Sequence, residues 1–157
     1  KKCSSLRSIP LHSFISMISC NAFEDCTSLT QIEIPPSVTS IENNTFLHCA
    51  NLTKVIIPPS IATIGDNAFD VCKILTKISI PSSVTSIGKS AFRECKLLAE
   101  MTIPSSVKFI GENAFNNCYS VKRIVINASI SKIEKKYFLS MLRFTRNYFS
   151  IYTCFNR

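Results

Sequence analysis

The sequence predicts an α/β repeat solenoid in which 23-residue coils stack, forming a short parallel β-sheet along one side and turns with short helical or 3-10 segments along the other. Five recurring columns carry that prediction. Phe23, Phe46, Phe69, Phe92, Phe115 and Phe138 stand 23 residues apart, and Cys3, Cys26, Cys49, Cys72, Cys95 and Cys118 keep the same spacing. Pro35, Pro58, Pro81 and Pro104 make a further column, as do Leu6, Leu29, Leu52, Leu75 and Leu98, which Val121 continues. The chain's only three glycines, Gly65, Gly88 and Gly111, also share one column.

Each element of the unit follows from local chemistry. Leu75, Ile78 and Ile80 place apolar residues at i, i+3 and i+5, and Lys77, Ile78, Ser79 and Ile80 alternate as a short strand does. The proline that follows ends the strand, since it cannot donate to a ladder and holds the preceding residue extended. Val84 and Ile87 then read as an extended or irregular return segment. Glycine next supplies a position that tolerates positive φ, and Asn67 or Asn113 stands where a cap belongs. Ala68, Phe69 and Cys72 suit a single helical or 3-10 turn that points Phe and Cys inward.

One unit cannot cover its own apolar face, so each Phe must lie on the next Phe and each Ile on the next Ile. With strands about 4.8 Å apart, six coils make a rod or shallow arc of roughly 25 to 30 Å. The pattern L-x-x-I-x-I-P followed by V-x-x-I-G-x-x-A-F-x-x-C resembles the BspA-type leucine-rich repeats. The resemblance covers residues 3–133, with near-intact copies at 34–56, 57–79, 80–102 and 103–125. It implies a right-handed leucine-rich-repeat solenoid whose strands line a concave face. It also implies a surface-exposed protein that binds other proteins, often as an adhesin. The chain departs from the pattern near its ends, where His12 and Asn127 interrupt the proline column and Ser19 and Glu42 the glycine column. The array is expected over residues 1–134, followed by a basic, aromatic cap or tail over 135–157.

Composition narrows the function classes. Hydrophobic residues are 46% and charged residues 18%, which is too apolar for a disordered chain. No apolar run reaches the roughly 18 residues of a membrane span, and no secretory signal is visible at Lys1. The net charge is +8, yet residues 132–157 alone hold +5, so the body of the chain is close to balanced. With no nucleic-acid-binding motif or basic helix besides, nucleic acid is not an expected partner.

The reactive residue types do not converge. Stacked cysteines project in parallel at the strand spacing, wider than the roughly 3.5 to 4.5 Å between Cβ atoms of a disulfide, so buried thiols acting as small hydrophobes are expected. Cys20 and Cys154, outside the column, are the candidates for reactivity or pairing between chains. His48 should point outward where Cys49 points inward, and His12 lies in a turn without a neighbouring ligand, so no metal is expected. Two histidines in variable positions give no nucleophile and base pair, and three glycines in three coils make no phosphate loop. Neither an enzyme nor a cofactor is expected. Ser37, Ser60, Ser83, Ser106 and Ser129 are read as turn hydroxyls that bond the backbone. The sequons at Asn43, Asn51 and Asn127 favour a secreted location only slightly.

What remains free is the outer side of the sheet. Two columns point outward there: Gln31, Lys54, Lys77, Glu100 and Arg123, and beside them Glu33, Ile56, Ser79, Thr102 and Val125. Mixed side chains on a rigid frame suit recognition of another protein, with exposed Ile56 and Val125 among Lys54, Lys77 and Arg123 as anchors. A surface or extracellular adhesive role is expected, the alternative being a cytoplasmic scaffold or regulator. The tail reads as a degenerate capping coil, with a membrane-touching amphipathic helix as the other reading. At the other end, either further repeats precede Lys1 or an open face there invites self-association.

Overall fold

The computed structural model describes residues 3–126. The array's further residues, the tail, Phe138, Cys154, Ser129 and the Asn127 sequon lie outside them. In chain order the strands are β1 (Gln31–Glu33), β2 (Ser40–Ile41), β3 (Lys54–Ile56), β4 (Thr63–Ile64), β5 (Ser86–Ile87), β6 (Glu100–Ile103), β7 (Phe109–Ile110) and β8 (Arg123–Ile126). All pair in parallel with partners one repeat away: Ile32 faces Val55, Ile64 faces Ile87 and Met101 faces Ile124. The coils therefore pile in register, and a slip of one residue would turn every buried strand side chain outward.

Two parallel ladders run along the array where the sequence predicts one. The return segment is itself a sheet, in the order β2-β4-β5-β7. Its cause is the isoleucine column Ile41, Ile64, Ile87 and Ile110, all buried, which fixes the backbone of each coil at the same depth. The ladder continues at the glycines: the N–H of Gly65, Gly88 and Gly111 each donates to the carbonyl of Ile41, Ile64 and Ile87 at 2.8 Å.

Glycine is needed here for closeness rather than for φ. No described glycine has positive φ, which corrects the sequence expectation. A Cβ on Gly88 would instead lie 2.5 Å from the carbonyl carbon of Gly65 and 2.6 Å from the nitrogen of Asp66. The left-handed positions fall two residues later, at Asn44, Asn67, Ser90 and Asn113, and again at Asp25, His48, Val71, Glu94 and Asn117. Asn67 is therefore a left-handed turn residue rather than a helix cap, a conformation that asparagine tolerates well.

These two columns also explain why no helix forms among the described residues. Left-handed Asn67 and Val71 bracket the segment carrying Phe69, so right-handed backbone cannot persist beyond one turn. What remains is a chain of tight turns, with the Cys72 N–H on Phe69 O and the Leu75 N–H on Cys72 O, both at 3.2 Å.

The core is a set of one-dimensional stacks. Phe46, Phe69, Phe92 and Phe115 are fully buried, and successive rings from Phe23 onward lie 5.2 to 5.5 Å apart and within 12° of parallel. Polar columns tie the coils together as well. The Asp66 N–H donates to Asn43 Oδ1 at 2.8 Å and the Lys89 N–H to Asp66 Oδ1 at 2.7 Å. The hydroxyls of Ser60, Ser83 and Ser106 donate to carbonyls of Val38, Ile61 and Val84 at 2.6 to 2.7 Å. They bond backbone as the sequence suggests, but in the preceding coil rather than in their own turn.

The cysteine column is buried from Cys26 to Cys118, without a disulfide among the described residues. Its thiols do more than fill space. Cys49, Cys72, Cys95 and Cys118 each donate to the carbonyl of the phenylalanine 26 residues earlier, at 3.0 to 3.3 Å. Each of those carbonyls already accepts the backbone N–H that closes its own turn, as Phe46 O does from Cys49 at 3.1 Å. The thiol is therefore a second donor that links one turn to the next.

Candidate functional site

The strand alternation leaves one face of β1, β3 and β6 in solvent while Ile32, Val55 and Met101 face the core. Gln31, Glu33, Lys54, Ile56, Lys77, Ser79, Glu100 and Thr102 are all exposed on it. Arg123 and Val125 continue the two columns in backbone register, opposite Glu100 and Thr102. Val125 is half-buried rather than exposed, which corrects its expected role as an open apolar anchor.

Three shallow depressions of 360, 470 and 560 Å³ lie along this face. All are lined by residues of the two columns. The first also takes in Ser8 and Pro10, which sequence reasoning missed. The signal was present, since subtracting one repeat from Gln31 and Glu33 gives these positions.

The face ladder is not continuous. β3 pairs with β1 and β6 with β8, while the fourth coil contributes a single bridge, Lys77 to Glu100. A rung normally joins the start of each strand to the coil before it: Thr53 N–H to Thr30 O at 2.9 Å, Ala99 N–H to Thr76 O at 3.2 Å, Lys122 N–H to Ala99 O at 2.8 Å. The equivalent rung from Thr76 to Thr53 is missing. The 470 Å³ depression sits over this gap, with Thr53, Lys54, Ile56 and Ile57 on one side and Lys77 and Ser79 on the other.

On the turn side, charged groups serve cohesion. His48 Nδ1 lies 3.0 Å from Asp25 Oδ1, and Arg93 donates through two nitrogens to Asp70 Oδ2 at 3.0 and 2.8 Å. Each pair joins neighbouring coils. Asp70 is buried with its Oδ1 unpartnered. Desolvation therefore raises its carboxyl above the usual range, and the Arg93 guanidinium only partly offsets that rise.

The same burial removes nucleophiles. Desolvation pushes the thiols of Cys49 and Cys118 up to about 12, and those of Cys72 and Cys95 well above the ordinary value. The reactive thiolate is thus withheld at these four buried positions. His48 is exposed where Cys49 is buried, and His12 is exposed with its ring on Phe14 at 5.3 Å. Among the described residues no three His, Cys, Asp or Glu side chains are placed to hold a metal ion. No described helix is long and apolar enough to cross a membrane.

The family profile described as "BspA type Leucine rich repeat region (6 copies)" matches residues 1–83 and 62–152. Among solved structures, a leucine-rich repeat protein of T. pallidum is similar at 31% identity and a TM-score of 0.73, over 76% of this chain and 58% of that one. A leucine-rich repeat protein of Bacteroides ovatus is 29% identical with a TM-score of 0.67, over 78% of this chain and 40% of that one. The pneumococcal vaccine antigen PcpA, at 20% identity and a TM-score of 0.70, shares the fold over 84% of this chain and 33% of its own. The chain thus spans less than two thirds of each of these structures. No curated protein matches it.

Proposed function

Because the chain belongs to the BspA-type leucine-rich repeat family, we propose that it is a non-enzymatic protein-binding module whose exposed sheet face, the concave one, recognises another protein in a surface or adhesive setting. One observation supports this reading above others. The repeated Phe, Cys, Ser and Gly columns are engaged between coils, while the two outward strand columns vary from coil to coil on a fixed frame. Variation on a rigid support is what recognition of one partner requires. The surface setting rests on family membership.

The test is steric. Arginines placed together at Gln31, Ser79 and Thr102 should weaken binding of a captured, purified partner by tenfold or more. Glutamates at Lys73 and Lys108, off this face, should leave it unchanged. Binding that survives the first set and falls with the second would place the contact elsewhere.

A second reading is an intracellular scaffold. It is favoured by the lack of disulfides among the described cysteines and by the exposure of Cys20. Surface biotinylation of intact cells separates the two settings: a labelled chain supports the first, an unlabelled one the second.

A further inference from the structure

The gap in the face ladder singles out one place on the sheet. We propose that the gap between β3 and the fourth coil is the main docking point, and that it takes an extended partner segment in which carboxylates flank an apolar side chain. The inference rests on the sheet-face reading above and specifies its partner.

Three features of the gap converge. Ile56 is 42% exposed, the one large apolar side chain of the two columns that stands so open, and Ile57 lies half-buried beside it. An apolar side chain seated there would cover surface that the fold itself leaves wet. Lys54 and Lys77 border the same depression, and neither makes an ion pair among the described residues, although Glu100 faces Lys77 across the bridge. Two uncommitted ammonium groups one coil apart favour an anionic occupant and disfavour a basic one. Finally, the missing rung leaves the Thr76 N–H and the Thr53 carbonyl without each other. Thr53 lines the depression, so its carbonyl is open to a hydrogen bond from an N–H of a segment seated there.

The neighbouring depressions lack one or another of these features. The 360 Å³ site shares Lys54 and Ile56 but adds Glu33; β1 and β3 are paired there, and on its other side the rung from Thr30 N–H to Arg7 O is present at 2.9 Å. The 560 Å³ site has Glu100 opposite Lys77 and is floored by buried Ile78, Ile80 and Met101.

The experiment titrates the full chain with a fluorescent peptide in which glutamates flank one phenylalanine. Two controls replace the glutamates by lysines or the phenylalanine by serine. The acidic apolar peptide should bind, and both controls should bind at least tenfold more weakly. Lys54→Glu with Lys77→Glu, and separately Ile56→Ser, should each weaken binding at least tenfold, whereas Lys73→Glu with Lys108→Glu should not. No binding of the first peptide, or equal loss from the Lys73 and Lys108 changes, overturns the inference. If the natural partner is still lost to arginines at Gln31, Ser79 and Thr102 in that case, the face reading stands without it. If it is not lost, both fall.

Discussion

Phe69→Ala is expected to lower the stability of the chain by about 4 kcal/mol, within the range seen when a buried aromatic side chain is truncated to alanine. Phe69 is fully buried and stacks on Phe46 at 5.2 Å and on Phe92 at 5.3 Å, so the change opens a void at two coil interfaces together. Aligned rings contribute beyond their area, on the order of 1 kcal/mol for each pair lost. For a chain of this size the change corresponds to a fall in Tm of roughly 10 °C. Because the coils interact with nearest neighbours, the deletion also weakens the coupling of the two halves of the array, and urea unfolding should broaden or divide. Phe23→Ala is the internal comparison. Phe23 is at the N-terminal end of the described stack, 8% exposed, with Phe46 as its one ring partner there. Its loss should cost distinctly less. Equal costs at the two positions would show that the rings do not act as a stack.

Gly88→Ala should cost about 3 kcal/mol or more, an overpacking penalty from one methyl group. The added Cβ would meet backbone of the preceding coil at 2.5 and 2.6 Å, and backbone cannot swing aside as a side chain can. Relief requires the coils to separate, which strains the Gly88 N–H to Ile64 O bond at 2.8 Å. The same column offers a control. Glu42 occupies the glycine position directly after β2, which is the edge of the return ladder, so that no paired strand stands before it among the described residues. A side chain is accommodated there, and Glu42→Ala is expected to stay within about 1 kcal/mol of the parent. Chemical denaturation of the three proteins checks both. If Gly88→Ala proved as mild as Glu42→Ala, close approach would not be the reason for the glycine column.

Repeat length, register, inward columns and the outward pair of columns were legible in the sequence because each depends on periodicity alone. Phe69, Cys72 and Ile78 are buried and Lys77 and Ser79 exposed as the alternation requires. What was not legible depends on distances between coils. A glycine needed for φ and one needed for closeness look identical in sequence, and only the contacts across to Gly65 and Asp66 distinguish them. The thiol bonds to phenylalanine carbonyls were hidden for the same reason, since cysteine in a buried column also suits simple packing. The second ladder was missed because Ser86–Ile87 is too short to carry a strand pattern of its own. On the candidate face, the residues were readable but the gap between β3 and the fourth coil was not, because Thr76, Lys77 and Ile78 fit the repeat as well as their neighbours do.

All of this depends on each coil meeting its neighbour at equivalent residues. Nuclear Overhauser contacts between phenylalanine ring protons, with the rings individually assigned, measure that arrangement in solution. The account predicts cross-peaks from Phe46 to Phe23 and Phe69, and from Phe92 to Phe69 and Phe115, with none between Phe46 and Phe92. Direct contacts between rings two repeats apart, or any of these five rings without a phenylalanine neighbour, would contradict it.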